Sequence, residues 1–331
     1  MPWPIIGHEW AASFLRQSLA AGKESHAYLF CGPPQVGKTT LARLLAQALN
    51  CAQPGAPCGA CSSCTRIARG SHPDVQVIQG RGAGGRLLID QVRALQHDAS
   101  LAPYEGRRRV FVLRQIDLAL DEPSNALLKT LEEPPARVVL ILTAGRRATL
   151  LPTIVSRCQV LELRAVPPEL IEQALCERGT SPEQARLIAR LSTGRPGWAL
   201  QAVQDNTLLD QRKQDVGQLF ALLAASPVER IDAAGKLGRD VSAARRLLGV
   251  WLACARDLVL LHDGGPRHVV NVDDVERLEP LAATLSLAQA WALVAAIQET
   301  AQQLAENVNA RLAVEGLFLR LPYRRAAQHD S

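Results

Sequence analysis

The stretch Ala27-Tyr-Leu-Phe-Cys31, followed by Gly32-Pro-Pro-Gln-Val-Gly37-Lys38-Thr39-Thr40, decides the fold. The first five residues are a short apolar, aromatic run that reads as a buried strand. The next eight fit G-x-x-x-x-G-K-[ST]. Beyond them Leu41, Leu44, Leu45 and Ala48 recur at i, i+3, i+4 and i+7, which predicts a helix over Thr40–Leu49 with one apolar stripe. Strand, glycine loop, helix is the order a phosphate-binding loop requires. Consecutive backbone N–H groups turn inward, glycine has no Cβ to block the approach, and the helix N-terminus adds a partial positive charge. Gly32, Pro33, Pro34, Gln35, Val36, Gly37, Lys38, Thr39 and Thr40 are therefore the candidate nucleotide-binding residues. Lys38 is expected to reach the β and γ phosphates, and the Thr39 hydroxyl to ligate Mg²⁺. A turn that merely joins strand to helix is the plainer reading; the fixed positions and their flanks outweigh it.

Working outward, further strands are expected at Asp74–Ile78, Val110–Leu113 and Val138–Thr143, alternating with helical patterns. That alternation predicts an α/β domain with a parallel sheet covered on both faces. Near Arg164–Pro168 the tract AVPP marks a linker, and the periodicity beyond it is helical almost throughout. Glu169–Gln204 reads as a small helical unit interrupted at Thr193–Gly197, and a longer one runs from Thr207 onward. There Leu287, Trp291 and Val294, then Leu304, Val308 and Leu312, keep helical spacing. The expected domains are residues 1–165, 166–206 and 207–331. The Gly-rich Arg81–Arg86 reads as a mobile loop.

The 331 residues, 47% hydrophobic and 21% charged, exclude wholesale disorder and a small disulfide scaffold. The net charge of +5 permits a nucleic-acid partner without implying one. The first residues lack a basic segment before an apolar core, and no apolar run reaches the ~18 residues of a membrane span. A soluble, cytoplasmic protein without a membrane partner is expected.

A P-loop hydrolase also needs a carboxylate at the end of a buried strand to hold Mg²⁺ and a group to position the attacking water. After Val110–Leu113 stand Arg114 and Gln115 instead of acids. A guanidinium there repels Mg²⁺, and a neutral amide is no general base. Asp117, or Asp121 with Glu122, are the displaced alternatives, but they fall beyond the strand, and Asp121 prefaces the helical stretch Ser124–Leu131. Magnesium is expected to be weakly held if at all.

Cys51, Cys58, Cys61 and Cys64 offer four thiolates in a segment rich in turn-forming Pro and Gly, including Pro54, Gly55, Pro57 and Gly59. Four soft ligands suit a closed, tetrahedral, structural Zn²⁺ site. Iron–sulfur ligation uses similar spacing and stays open as the alternative. Arg107–Arg109, Arg146–Arg147 and Arg164 are basic stretches that either line a phosphate path or form solvated faces.

With these residues in place the chain resembles the bacterial DNA polymerase III clamp-loader subunits of the AAA+ class. The matching segments are IIGHEW (Ile5–Trp10), HAYLFCGPPQVGKTTLA (His26–Ala42), the cysteine cluster, SNALLKTLEEPP (Ser124–Pro135), TIVSRC (Thr153–Cys158) and NVNARLAVEGLFL (Asn307–Leu319). The resemblance implies a RecA-like P-loop domain carrying a zinc module at about residues 51–64, a helical lid and a C-terminal helical collar used for ring assembly. It implies that Arg157 reaches the ATP of a neighbouring subunit in trans, and that zinc fills the cysteine cluster. Catalytic relatives carry an acidic pair where this chain has Arg114 and Gln115, and a sensor arginine where it has Gly197 in GRPGWAL. The implied role is a subunit with little or no ATPase of its own that still holds ATP or ADP. Its implied partners are other loader subunits and, through the complex, a sliding clamp and primer-template DNA. The rivals are a catalytically active motor subunit of the same loader, another autonomous P-loop ATPase, and a zinc-dependent redox or hydrolytic enzyme.

Overall fold

The apolar run after His26 forms strand β1 (Ala27–Cys31), buried along its whole length, and helix α2 (Lys38–Asn50) follows the glycine loop as the pattern requires. The computed structural model describes residues 3–53, 55–265, 268–305 and 308–322. Pro54 and Asn307, both used in the sequence readings, lie outside them, as do both ends of the chain. The described chain divides into two compact units. Residues up to Thr180 with Ser192–Ala199 form the first, and Ser181–Leu191 with the residues from Leu200 onward form the second.

In the first unit the chain order is α1 (Glu9–Ala20), β1, α2, α3 (Ser62–Arg69), β2 (Val75–Ile78), α4 (Ile89–Ser100), β3 (Arg109–Leu113), α5 (Asp121–Glu132), β4 (Val138–Ala144), α6 (Pro152–Val155), β5 (Gln159–Glu162) and α7 (Pro168–Cys176). Among the described residues the sheet is five-stranded and parallel, in the order β2-β3-β4-β1-β5. Successive side chains of a strand point to opposite faces, and here each face has its own core. Tyr28 and Phe30 of β1, Val110 and Val112 of β3, and Val139 and Ile141 of β4 pack with Leu15, Leu41 and Leu45. Leu29 and Cys31, Phe111 and Leu113, and Leu140 and Leu142 pack on the other face with Val92, Leu95, Leu127 and Leu131. This is the RecA-like AAA+ arrangement: a parallel sheet with a phosphate-loop motif at the C-terminal end of β1, its neighbours β4 and β5 reached by crossovers.

The four expected strands are present within one residue. The fifth, β5, was not among them, because Gln-Val-Leu-Glu is short and buries only Leu161 fully. The Gly-rich Arg81–Arg86, expected to be mobile, closes on itself through Gly82 N–H donating to Arg86 O at 2.9 Å.

The second unit is helical: α8 (Pro182–Leu191), the C-terminal part of α9 (Pro196–Gln204), α10 (Thr207–Ala224), α11 (Pro227–Leu237), α12 (Val241–His262), α13 (Val275–Thr284), α14 (Leu287–Ala305) and α15 (Ala310–Arg320). Trp251, fully buried on α12, anchors its core; its indole N–H donates to Asp215 O at 2.7 Å and its ring lies 5.4 Å from that of Phe318. The buried Arg230 guanidinium donates to carbonyls at the ends of α10 and α15, including Leu222, Phe318 and Leu321. Those are acceptors a helix C-terminus leaves unpaired. Among the described residues no single helix is long and apolar enough to cross a membrane.

Candidate functional site

The glycine loop leaves β1 at Gly32, whose φ is +148°; a Cβ there would stand 2.2 Å from Leu163 O, so no other residue fits without the backbone moving. At the far end Gly37, at φ +115°, is the N-cap of α2 and offers no side chain to its first N–H groups. Those donors are left for an anion. The Lys38 ammonium folds back onto the loop, donating to Gly32 O and, at 2.7 Å, to Pro33 O. Burial lowers its pKa, and the Asp117 carboxylate opposes that shift. His8 Nε2 lies 3.0 Å from Val36 O, so the ring carries its proton on Nε2 and braces the loop from behind; burial lowers its pKa. At the loop apex Gln35 adopts φ +59°, and its carbonyl accepts the Gly197 N–H at 2.9 Å. A Cβ on Gly197 would lie 2.8 Å from that carbonyl. Gly197 thus touches the phosphate loop through bare backbone. Gly32 through Thr40 are brought together as one continuous loop and helix start.

At the end of β3, Arg114 Nη1 donates to Gln79 Oε1 at 2.9 Å. Gln115 sits in the left-handed region at φ +54°, exposed, with its N–H on Thr143 Oγ1 at 3.1 Å. Neither contributes an acid. The left-handed residue, however, turns the chain back through Ile116–Leu118, and this returns Asp117 to the sheet edge, where Oδ2 accepts the Gly145 N–H at 2.9 Å. Asp117 Oδ1 is buried and has no partner among the described residues. Its charge also acts on Cys31, whose thiol is pushed up to about 11, mostly by burial and then by Glu162 and Asp117. An acid expected to fall beyond reach is therefore electrostatically part of the loop, because one left-handed residue redirects it. Asp121 and Glu122 occupy the first turn of α5, where the helix dipole favours negative charge.

Arg157 follows α6. Its Nη2 lies 2.7 Å from Glu132 Oε1 at the end of α5, and its Nη1 donates to Thr153 O at 2.9 Å and Ser156 Oγ at 3.4 Å. The side chain is 34% exposed, so part of the guanidinium remains open to solvent.

The four cysteines converge, their sulfurs all within 4.8 Å of one another. Cys51 Sγ is 3.9 Å from Cys61 Sγ, and Cys58 Sγ is 4.0 Å from Cys64 Sγ. A tetrahedron with Zn–S near 2.3 Å has edges of about 3.8 Å, close to the two Sγ–Sγ distances above, so the donor set fits zinc. The Cys61 and Cys64 N–H groups donate to Cys58 and Cys61 sulfur at 3.3 and 3.4 Å. The N–H groups of Cys61 and Ala60 bring the Cys58 thiol down to about 6, whereas burial pushes Cys64 up to about 12. A bound dication would stabilise the Cys64 thiolate that burial disfavours. Gln47 of α2 donates to Cys64 O at 2.8 Å and holds the module against the fold.

The basic stretches separate. Arg146, Arg147 and Arg164 line one cavity of about 950 Å³ beside Gly32 and Pro33. Arg108 pairs with Glu24, and Arg109 lies over the Phe111 ring at 5.9 Å. His8, Gln47, Asp117 and Glu132 are the contributors that sequence reasoning missed or set aside. Of these, Glu132 lay inside a quoted motif, whereas Asp117, four residues past the end of β3, is returned by the left-handed backbone of Gln115, which no spacing signals.

Residues 7–167 match the family described as DNA polymerase III, delta subunit. The chain is 28% identical over 312 residues to DNA polymerase III subunit delta' of Bacillus subtilis, covering 93% of this chain and 94% of that protein. It is 32% identical over 360 residues to subunit gamma/tau of Mycobacterium tuberculosis, spanning 99% of this chain but 62% of that longer relative. Among solved structures, a DNA polymerase III gamma subunit-related protein of Thermotoga maritima matches 93% of this chain and 99% of its own, with 16% identity and a TM-score of 0.48.

Proposed function

The chain belongs to the clamp-loader subunit family of DNA polymerase III, and from that premise we propose that it is a delta prime-like subunit that assists ATP-driven loading of a sliding clamp onto primed DNA. Its partners are the other loader subunits in a hetero-oligomeric ring, and clamp and primer-template DNA through that ring, in the cytoplasm. In this reading residues 1–165 are the P-loop domain, 166–206 the lid and 207–331 the collar.

The observation that carries the reading is the end of β3, where Arg114 is tied to Gln79 and Gln115 is exposed, in place of two acids. Gly32–Thr40 would hold the phosphates of ATP or ADP, with Lys38 released from the Gly32 and Pro33 carbonyls to meet them. Thr39 and the bare Asp117 oxygen are the groups suited to Mg²⁺. Hydrolysis needs in addition a base for the attacking water, and a Gln115 amide cannot take a proton. Grip without cleavage follows. Arg157 then serves a neighbour: a fixed guanidinium stabilises charge that develops on another subunit's triphosphate. The four cysteines would hold a structural zinc with no open coordination position.

The alternative, an autonomous P-loop ATPase, is favoured by the return of Asp117 alone. Arg157→Ala in the reconstituted loader tests the main reading. It is expected to reduce turnover on the order of 10³-fold at the site it serves, so that complex ATPase falls by that site's share while the ring still assembles. Unchanged turnover in the mutant complex contradicts the role.

A further inference from the structure

The Arg157 guanidinium is held within its own subunit by groups from two elements, and one of them is a carboxylate in an unfavourable place. Glu132 ends α5, where the helix dipole presents its negative end and an acid is normally destabilising. Among the described residues its ion pair is with Arg157, 2.7 Å from Nη2, while the Thr153 carbonyl and Ser156 hydroxyl take Nη1. Glu132 is 49% exposed, so the pair adds little to stability. What it fixes is orientation. A guanidinium carries five N–H donors in a rigid plane, and these contacts engage both hydrogens of Nη1 and one of Nη2, leaving Nε–H and the second Nη2 hydrogen unused. A free fork therefore remains for phosphate oxygens while the plane is held.

The backbone sets both partners. Glu133, Pro134 and Pro135 follow Glu132, and the chain re-enters the sheet at β4 three residues after Pro135. Pro152 opens α6, whose single turn presents the Thr153 carbonyl to Arg157 four residues on. His26 Nε2, 3.1 Å from Leu131 O, ties the end of α5 to the start of β1.

We propose that Glu132 is a positioning residue for Arg157, holding its guanidinium in the geometry in which it meets the neighbouring subunit's triphosphate. The inference rests on the trans role of Arg157 proposed above. A flexible arginine must be ordered as the transition state forms; one already held by a carboxylate is not, and the difference belongs to kcat.

The test is a double-mutant cycle in the reconstituted loader with Glu132→Gln, Glu132→Asp, Arg157→Ala and the double variant Glu132→Gln/Arg157→Ala. Glu132→Gln is expected to lower kcat at the served site about tenfold with KM for ATP and complex assembly unchanged, and Glu132→Asp to recover part of it. In the Arg157→Ala background Glu132→Gln should have no further effect. An unchanged or raised kcat in Glu132→Gln, or an effect that persists in full without Arg157, overturns the positioning role. Arg157→Ala without effect removes the trans-arginine reading itself, and the role of Glu132 with it, so the two failures are distinguishable. Thermal melting of the isolated Glu132→Gln chain, expected to match the parent, separates loss of positioning from loss of fold.

Discussion

At Gly197 the chain carries no side chain, and bare backbone makes the contact with the phosphate loop. Because a Cβ would approach Gln35 O to 2.8 Å and Gln35 Cβ to 3.2 Å, Gly197→Ala must displace the segment and lose its hydrogen bond. A destabilisation of about 1–3 kcal/mol is expected, read as a lower urea midpoint; an unchanged midpoint contradicts the contact. His72 sets a second prediction. Its Nδ1 accepts the Asp74 N–H at 3.1 Å, so the ring is neutral with its proton on Nε2, facing Glu105 Oε1 at 3.4 Å. Burial, and then Arg66, lower its pKa below the ordinary value of 6.5. The unfolded chain therefore binds more protons as pH falls through 6.5, and the stability His72 contributes above that value is lost as pH drops through its depressed folded pKa. His8, also buried and lowered, acts in the same direction. Melting temperature should fall between about pH 7 and pH 5.5, and His72→Asn, which keeps an acceptor for Asp74, should shallow the slope. A melting temperature that is flat or rises on acidification contradicts this.

At the scale of elements, the segment from Cys51 to Arg69 has few apolar anchors of its own, chiefly Cys51, Cys64 and Ile67. In the proposed zinc reading its order depends on the four sulfurs sharing a metal. Thiol modification should release about one zinc per chain from a colourless protein and lower the melting temperature; an iron–sulfur absorption, or metal-free protein of equal stability, contradicts a zinc centre. The elements also show what sequence could convey. The β1, glycine-loop and α2 series was legible because each signal is local: a strand buried on both faces is apolar throughout, and Leu41, Leu44, Leu45 and Ala48 are all buried as their spacing predicts. On α14 the spacing misled in part: Val294 and Leu304 are buried, but Leu287 and Trp291 are 46% and 56% exposed and the core takes Ala290, Leu293 and Ile297 instead. A helix rich in Ala and Leu carries apolar residues on more than one face, and spacing alone cannot choose between them. Asp117 was misplaced for another reason: its return depends on the left-handed backbone of Gln115, a conformation glutamine does not announce.

The whole molecule has three cores, one on each side of a parallel sheet and one among helices, and the sheet unit presents a phosphate loop, a cysteine cluster and a held arginine without any acid in the two positions after β3. The +5 charge is too small to define a partner. The central claim is that the chain holds a triphosphate and does not cleave it. The direct measurement is nucleotide binding and steady-state ATP turnover by the purified chain alone, beside Lys38→Ala. The account predicts binding that Lys38→Ala weakens about tenfold or more, with turnover at background in both; rapid turnover by the parent chain, abolished by Lys38→Ala, would contradict it.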